Sequence, residues 1–198
     1  METIDAFILA GGASRRMGAD KSQLMLNGQT LTQRIAAVLI KVATTVTIVG
    51  RSDPQLKSVE DVYPQWGALG GVHTALSACT TDWAFVVACD MPFVNAELFT
   101  RLASFRDDLE AVAPVQPDGR PQPLCALYRV AHCLPVAEKL IQSGERRPLI
   151  LLQSVRTRWI DFAELEDLAG ARRFFVNMNT PEDYLRAQSK GERQHEKD

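Results

Sequence analysis

The sequence predicts an α/β fold of three layers, with a mostly parallel central sheet between two layers of helices. Strand-like and helix-like segments alternate along the chain, which is typical of parallel sheets covered by helices on both faces. Residues 83–89 (WAFVVAC) form a near-continuous apolar run, as a central strand buried on both faces requires. Residues 6–9 form a shorter apolar run that ends at two glycines and predicts a buried first strand.

The remaining elements follow from local patterns. Apolar residues at helical spacing from Leu31 to Val42 predict the first helix, and Asn95 is placed to cap a later one. Residues 148–152 fit either a short helix or a strand. The other predicted elements are strands at 45–49, 111–114, 124–128 and 157–162, helices at 69–78 and 131–143, and a last helix starting at Thr180.

Composition indicates one ordinary globular domain. The chain has 198 residues, of which 46% are hydrophobic and 23% charged, and this suits a single α/β domain over residues 1–189. The segment 190–198 is charged, lacks apolar anchors and is expected to be a disordered tail. We find no internal repeat.

Charge and hydropathy limit the kinds of partner that the protein is expected to bind. A net charge of −2 gives no general attraction to nucleic acid, so nucleic acid is disfavoured as a partner. No apolar stretch approaches the ~20 residues that span a bilayer, so no membrane association is expected. The segment 1–12 lacks the basic start of a secretion signal, and we expect a cytoplasmic protein.

Of the four cysteines, Cys89 and Cys125 lie in apolar contexts, which predict that they pack in the core. The spacing of the cysteines and histidines alone does not exclude a catalytic Cys–His pair.

Residues 9–21 (LAGGASRRMGADK) predict a polyphosphate site. Gly11 and Gly12 lack a Cβ, so their backbone N–H groups can approach phosphate, and Arg15, Arg16 and Lys21 add positive charge. The spacing fits neither a Walker A loop nor the G-x-G-x-x-G fingerprint. The alternative is a glycine-rich turn with incidental surface arginines.

Asp90 follows the apolar run 83–89 and should project from the carboxyl edge of a central strand, where open α/β sheets bind ligands. A carboxylate beside a polyphosphate suits Mg²⁺, which retains waters and bridges protein to phosphate oxygens. An aspartate that merely caps a helix is the alternative.

These stretches resemble the molybdenum cofactor guanylyltransferases, a family of Rossmann-like nucleotidyltransferases. The resemblance rests on residues 9–21, 89–92 (CDMP), 144–147 (GERR) and 177–183 (NMNTPED), in that order. It implies transfer of GMP from GTP to the phosphate of molybdopterin, with Mg²⁺ as cofactor and pyrophosphate as product. Transient contact with molybdopterin-biosynthesis proteins or apo-molybdoenzymes is a further expectation.

The resemblance also implies roles for individual residues. The expected catalytic residues are Arg16, Lys21 and Asp90, with Asp90 as the metal ligand. The expected nucleotide-binding residues are Leu9, Ala10, Gly11, Gly12, Lys21, Arg51, Asp61 and Asp90. The expected molybdopterin-binding residues are Arg146, Arg147, Asn177 and Asn179.

Several of these assignments have ordinary alternatives. Glu60 could take the place of Asp61, or both could belong to a solvated acidic loop. Arg51 could be a plain surface residue, and the asparagines could only stabilise a turn. Arg146 and Arg147 follow a predicted helix end, and no following helix is expected to supply partners for them, so they could bind an anionic group. Cations are also favoured at the carboxyl ends of helices without any ligand, so the same residues could serve only the helix.

The chain also departs from the family pattern and leaves rival functions open. Ala68 stands where proline is usual and Gly70 where alanine is usual. The rival functions are a cytidylyl- or sugar-phosphate nucleotidyltransferase of the same fold and a non-catalytic carrier of nucleotide or cofactor.

Overall fold

The computed structural model describes residues 3–11, 25–26, 28–178 and 183. Within them, seven strands form one mixed sheet: β1 (Ile4–Leu9), β4 (Thr45–Val49), β5 (Lys57–Val59), β6 (Trp83–Ala88), β7 (Ala111–Pro114), β8 (Cys125–Arg129) and β9 (Thr157–Ile160). Their order across the sheet is β5-β4-β1-β6-β8-β7-β9. A separate antiparallel pair consists of β2 (Met25–Leu26) and β3 (Gln29–Thr30).

The directions of the strands determine which strand ends lie at the same edge of the sheet. The strands β5, β4, β1 and β6 run parallel to one another, and β7 runs parallel to β9. Among the described strands of the seven-stranded sheet, only β8 runs antiparallel to its neighbours, β6 and β7. The sheet is therefore mostly parallel, and the fold class predicted from the sequence is confirmed.

The helices cover both faces of this sheet. They are α1 (Leu31–Leu39), α2 (Ala68–Ala78), α3 (Ala96–Ser104), α4 (Val130–Gln142) and α5 (Pro148–Gln153). One face buries Ile35, Phe85 and Phe99 with α1 and α3, and the other buries Phe7, Leu69 and Tyr128 with α2, α4 and α5. Within the described residues, no helix is both long and apolar enough to cross a membrane.

Most elements agree with their sequence predictions. The Asn95 side chain accepts a hydrogen bond from the Leu98 N–H at 2.9 Å, which confirms the predicted cap of α3. Residues 148–152, left open by the sequence, lie in helix α5, which extends to Gln153. The strand expected over 157–162 ends at Ile160 and continues as a short 3₁₀ turn. The sequence missed β5, because two of its three residues are exposed and give no apolar signal.

One sequence argument was wrong. Arg146 and Arg147 were expected to follow a helix end with no helix after them, but α5 begins at Pro148, directly after Arg147. The helix start expected at Thr180 and the tail 190–198 lie outside the described residues, and the single-domain boundary at 189 stays a prediction.

Candidate active site

The carboxyl ends of the parallel strands are joined by backbone hydrogen bonds into one continuous edge. The N–H groups of Ala10 and Gly11 both donate to the carbonyl of Val49 at 3.1 Å. The Gly50 N–H donates to the Val59 carbonyl at 2.9 Å, and the Cys89 N–H donates to the Leu9 carbonyl at 3.1 Å. The turns after β1, β4, β5 and β6 are thus held side by side, where this sheet architecture binds ligands.

Asp61 lies against the glycines of this edge. Its Oδ2 would be 3.0 Å from a Cβ at Gly11 and 2.8 Å from a Cβ at Gly50. Burial raises the pKa of the Asp61 carboxyl. Glu60, the alternative acid, is exposed. The structure therefore brings Asp61, rather than Glu60, together with the first glycine of the predicted phosphate loop.

The loop that carries Asp61 is fixed to helix α2. The Val62 N–H donates to Thr74 Oγ1 at 2.9 Å, and the Thr74 hydroxyl donates to the Gly70 carbonyl at 3.0 Å. Thr74 is buried, so these bonds form away from competing water. Asp61 therefore occupies a preorganised position rather than the end of a loose acidic loop.

Asp90 is half-buried and follows β6, as the sequence predicted. Its backbone carbonyl accepts a hydrogen bond from the Met178 N–H at 2.9 Å, which brings residues 177 and 178 to this turn. The Oδ1 of Asn177 is buried and has no hydrogen-bond partner among the residues that the structure describes. A buried, unpaired amide oxygen beside a carboxylate turn is a suitable ligand for a hard cation or a ligand hydroxyl.

The two arginines of the segment 144–147 have different partners. Arg147 donates from Nε and Nη2 to the carboxylate of Glu145, at 2.8 and 2.7 Å. Arg146 lies over the ring of Trp66, with its Cζ 4.7 Å from the ring centroid. The Leu69 N–H donates to the Arg146 carbonyl at 3.3 Å, so this segment is docked on the start of α2.

Sequence reasoning did not find Trp66. Its indole N–H donates to the Glu145 carbonyl at 2.9 Å, and its ring supports Arg146. The available signal was a large aromatic residue within a turn-rich segment, Pro64 to Gly67, where a core role is not expected.

The remaining predicted site residues are placed as follows. Arg51 is half-buried, directly after Gly50 at the same edge. Leu9 ends β1 at this edge as well, and Ala10 follows it. Gly12, Arg16, Lys21 and Asn179 lie outside the described residues, and their roles stay predictions.

Two of the four cysteines, Cys125 and Cys133, are buried, and Cys79 and Cys89 are half-buried. Burial raises the pKa of both Cys125 and Cys133 to about 12, so neither thiol is a ready nucleophile. The core packing predicted for Cys125 is confirmed. Cys89 is half-buried against the core on the α1 and α3 face.

The fold and the edge together define the class of protein. An open α/β sheet with a glycine turn after the first strand, and acids at the ends of its neighbours, is an arrangement that nucleotide-binding enzymes use. The family model described as "MobA-like NTP transferase domain" matches residues 6–158. The chain belongs to this family and is a nucleotidyltransferase.

Individual relatives agree along nearly the whole chain. A molybdenum cofactor guanylyltransferase of Vibrio atlanticus is 34% identical over 187 residues, covering 89% of this chain and 91% of that protein. A probable molybdenum cofactor guanylyltransferase of Carboxydothermus hydrogenoformans is 30% identical over 188 residues, covering 93% and 94%. The crystal structure of molybdopterin-guanine dinucleotide biosynthesis protein A from Archaeoglobus fulgidus matches with a TM-score of 0.81 and 26% identity, covering 96% of this chain and 99% of that one.

Proposed function

We propose that this enzyme transfers GMP from GTP to the terminal phosphate of molybdopterin, forming the guanine dinucleotide cofactor and releasing pyrophosphate. The observation that carries the proposal is the shared edge on which Asp61 packs against Gly11 while Asp90 follows the neighbouring strand β6. The names of the relatives support guanine and molybdopterin as substrates. The proposal places the reaction in the cytoplasm, with transient hand-over to apo-molybdoenzymes.

The reaction needs positioning and charge neutralisation rather than a strong base. An oxygen of the acceptor phosphate attacks the α-phosphorus of GTP, the bond from that phosphorus to the bridging oxygen breaks, and pyrophosphate leaves with the electron pair. The attacking oxygen is already anionic, so no proton has to be removed from it. In this proposal Arg16 and Lys21 hold the leaving phosphates, which lowers the cost of bringing anions together.

The nucleotide is held by the edge residues. Backbone groups of residues 9–12 contact the base and phosphates, while Asp61 and Arg51 bind on the β4 and β5 side. A half-buried carboxylate accepts hydrogen bonds from a nucleoside strongly, because surrounding water is reduced. Asp61 therefore contributes both affinity and orientation.

The residues present fit a magnesium ion. The ion would be held by the Asp90 carboxylate, with the unpaired Oδ1 of Asn177 as a further oxygen nearby. When bound, Mg²⁺ supplies charge neutralisation for the triphosphate. Among the described residues no group of three or more His, Cys, Asp and Glu side chains could hold a metal, and a Mg²⁺ completed by waters and phosphates does not need one.

The acceptor is assigned to Arg146, Arg147, Asn177 and, outside the described part of the chain, Asn179. Guanidinium groups bind phosphate through paired hydrogen bonds, and amide side chains can both donate to and accept from a pterin. In this proposal the acceptor enters between the segment 144–147 and the turn at Asp90.

The decisive experiment measures pyrophosphate release from GTP, CTP, ATP and UTP, each with and without molybdopterin, at saturating Mg²⁺. The proposal requires release that depends on both GTP and molybdopterin. Preference for CTP would instead establish the cytidylyltransferase alternative. Tight GTP binding without any pyrophosphate release would establish a carrier and overturn the proposal.

A further inference from the structure

We propose that Trp66 is a positioning residue of the acceptor site, which holds the arginine-bearing segment 144–147 in the place that molybdopterin requires. This inference rests on the function proposed above and adds a residue to it. Trp66 lies in the loop between Asp61 and α2, whereas the segment 144–147 links α4 to α5. The two are far apart in sequence and meet through this side chain.

Two contacts made by the indole fix the segment. The Nε1–H of Trp66 donates to the backbone carbonyl of Glu145 at 2.9 Å. The face of the ring lies under the guanidinium of Arg146, whose Cζ is 4.7 Å from the centroid. The hydrogen bond holds the backbone at Glu145, and the cation–π contact holds the side chain of the next residue, Arg146. The indole therefore sets both the position of the segment and the direction of the Arg146 side chain.

Fixing Glu145 also fixes Arg147. The Glu145 carboxylate accepts hydrogen bonds from the backbone N–H groups of Arg146 and Arg147 and from the Arg147 side chain. The Arg147 side chain, followed by these backbone bonds, lowers the pKa of Glu145 to about 2, so the carboxylate is ionised throughout the physiological range. By holding Glu145 in place, Trp66 therefore also restrains the positions of Arg146 and Arg147.

Gly70 makes room for Trp66. A Cβ at Gly70 would lie 2.9 Å from the Cβ of Trp66 and 3.2 Å from the carbonyl oxygen of Tyr63. The Trp66 N–H donates to that same carbonyl at 3.1 Å, so the backbone cannot move aside without losing this bond. Glycine at position 70, where the resembling family usually has alanine, is therefore part of how this chain accommodates its loop.

The charges around Trp66 and the segment 144–147 favour the acceptor, rather than the nucleotide, as the ligand that this segment binds. The nucleotide already has the glycine turn, Asp61 and the basic residues of the segment 12–21. Arg146 is exposed, and within the described residues its side chain makes only a 3.5 Å contact to the Gln65 carbonyl besides the ring of Trp66. An exposed guanidinium held in one orientation, and without an ion pair to any described carboxylate, suits an incoming phosphate.

The test separates acceptor binding from nucleotide binding. For Trp66→Leu, which removes both indole contacts, we expect the KM for molybdopterin to rise about tenfold while the KM for GTP stays within twofold. Trp66→Phe keeps a ring under Arg146 and should recover part of the loss. The matched control is Trp159→Phe, the same kind of change in the edge strand β9, which should leave both constants unchanged.

A double mutant shows whether Trp66 acts through Arg146. The effects of Trp66→Leu and Arg146→Ala on the KM for molybdopterin should be clearly less than additive, as for residues in contact. Full additivity, or a Trp66→Leu variant whose GTP constant rises instead, overturns the inference. Absence of any GTP- and molybdopterin-dependent turnover in the wild-type enzyme would instead reject the proposed function, so the two failures are distinguishable.

Discussion

Gly50 and the carboxylate of Asp61 are packed so closely that no side chain fits between them. A Cβ at Gly50 would lie 2.8 Å from Oδ2 of Asp61 and 2.8 Å from the Cα of Gly11. Gly50 also has a φ of 81°, a conformation that other residues rarely adopt. Three strand ends therefore converge on one point, and glycine at two of them is what allows the acid at the third to approach.

Gly50→Ala should disable nucleotide binding. The new methyl group must displace either Asp61 or the turn at Gly11, so we expect the KM for GTP to rise at least about tenfold. Gly170→Ala is the matched control, because Gly170 has a φ of 76° and open space around its missing Cβ. In both variants an alanine is forced into a positive φ, which costs about 1–2 kcal/mol. Only Gly50→Ala should also lose affinity for GTP. Equal GTP constants in the two variants would contradict this account.

Asp61→Asn should separate function from stability. Burial raises the pKa of Asp61, so the ionised carboxylate disfavours the folded state at any pH above the ordinary value of 3.8. Asparagine removes that penalty while keeping the shape of the side chain. At pH 7 we expect the thermal midpoint to stay the same or rise, while GTP affinity measured by calorimetry falls. A variant that melts several degrees lower yet binds GTP normally would show that Asp61 has a structural role only.

Asp90→Asn should remove turnover without unfolding the protein. The change preserves volume but removes the charge proposed to hold Mg²⁺, and we expect the rate of pyrophosphate release to fall at least about 100-fold. The Mg²⁺ concentration for half-maximal rate should rise in any residual activity. Asp108→Asn is the control, because Asp108 is exposed before β7, at the amino end of the parallel strands. Near-normal turnover in folded Asp90→Asn would exclude the mechanism.

The parts of the fold that were predictable are those encoded locally. The apolar run ending at Ala88 specifies a central strand, and the position of Asp90 at its carboxyl edge follows from that alone. The glycines after Leu9 similarly mark the end of β1. The antiparallel direction of β8 was not predictable, because a buried strand has the same apolar pattern in either direction.

The parts of the site that were missed depend on partners distant in the sequence. The packing of Asp61 on Gly50 arises only when β1, β4 and β5 lie side by side. Trp66 donates to a carbonyl 79 residues further along the chain, which no local pattern reveals. Resemblance to a family predicted roles for the acids and arginines but could not show which side chains hold them in place.

Asp5→Ala should destabilise the fold while sparing the site. Asp5 is only 1% exposed. Its carboxylate accepts hydrogen bonds from the Thr45 hydroxyl at 2.7 Å and from the Thr80 N–H and hydroxyl at 2.9 and 2.8 Å. Removing it leaves these donors without an acceptor, and we expect the free energy of unfolding to fall by about 3 kcal/mol in urea denaturation at pH 7.

The pH dependence of this loss follows from the pKa of Asp5. Burial alone would raise that pKa, but the hydrogen bonds from Thr45 and Thr80 outweigh it and lower the pKa below 3.8. A lowered carboxyl pKa stabilises the folded state fully above 3.8, and this contribution is lost as the pH falls through the folded-state value. The difference between wild type and Asp5→Ala should therefore be constant from pH 8 to about pH 5 and shrink in more acidic solution. A difference that grows on acidification would mean that Asp5 is protonated in the native protein. Unchanged GTP and molybdopterin constants in Asp5→Ala would confirm that its effect stays at the amino end of β1, away from the substrates.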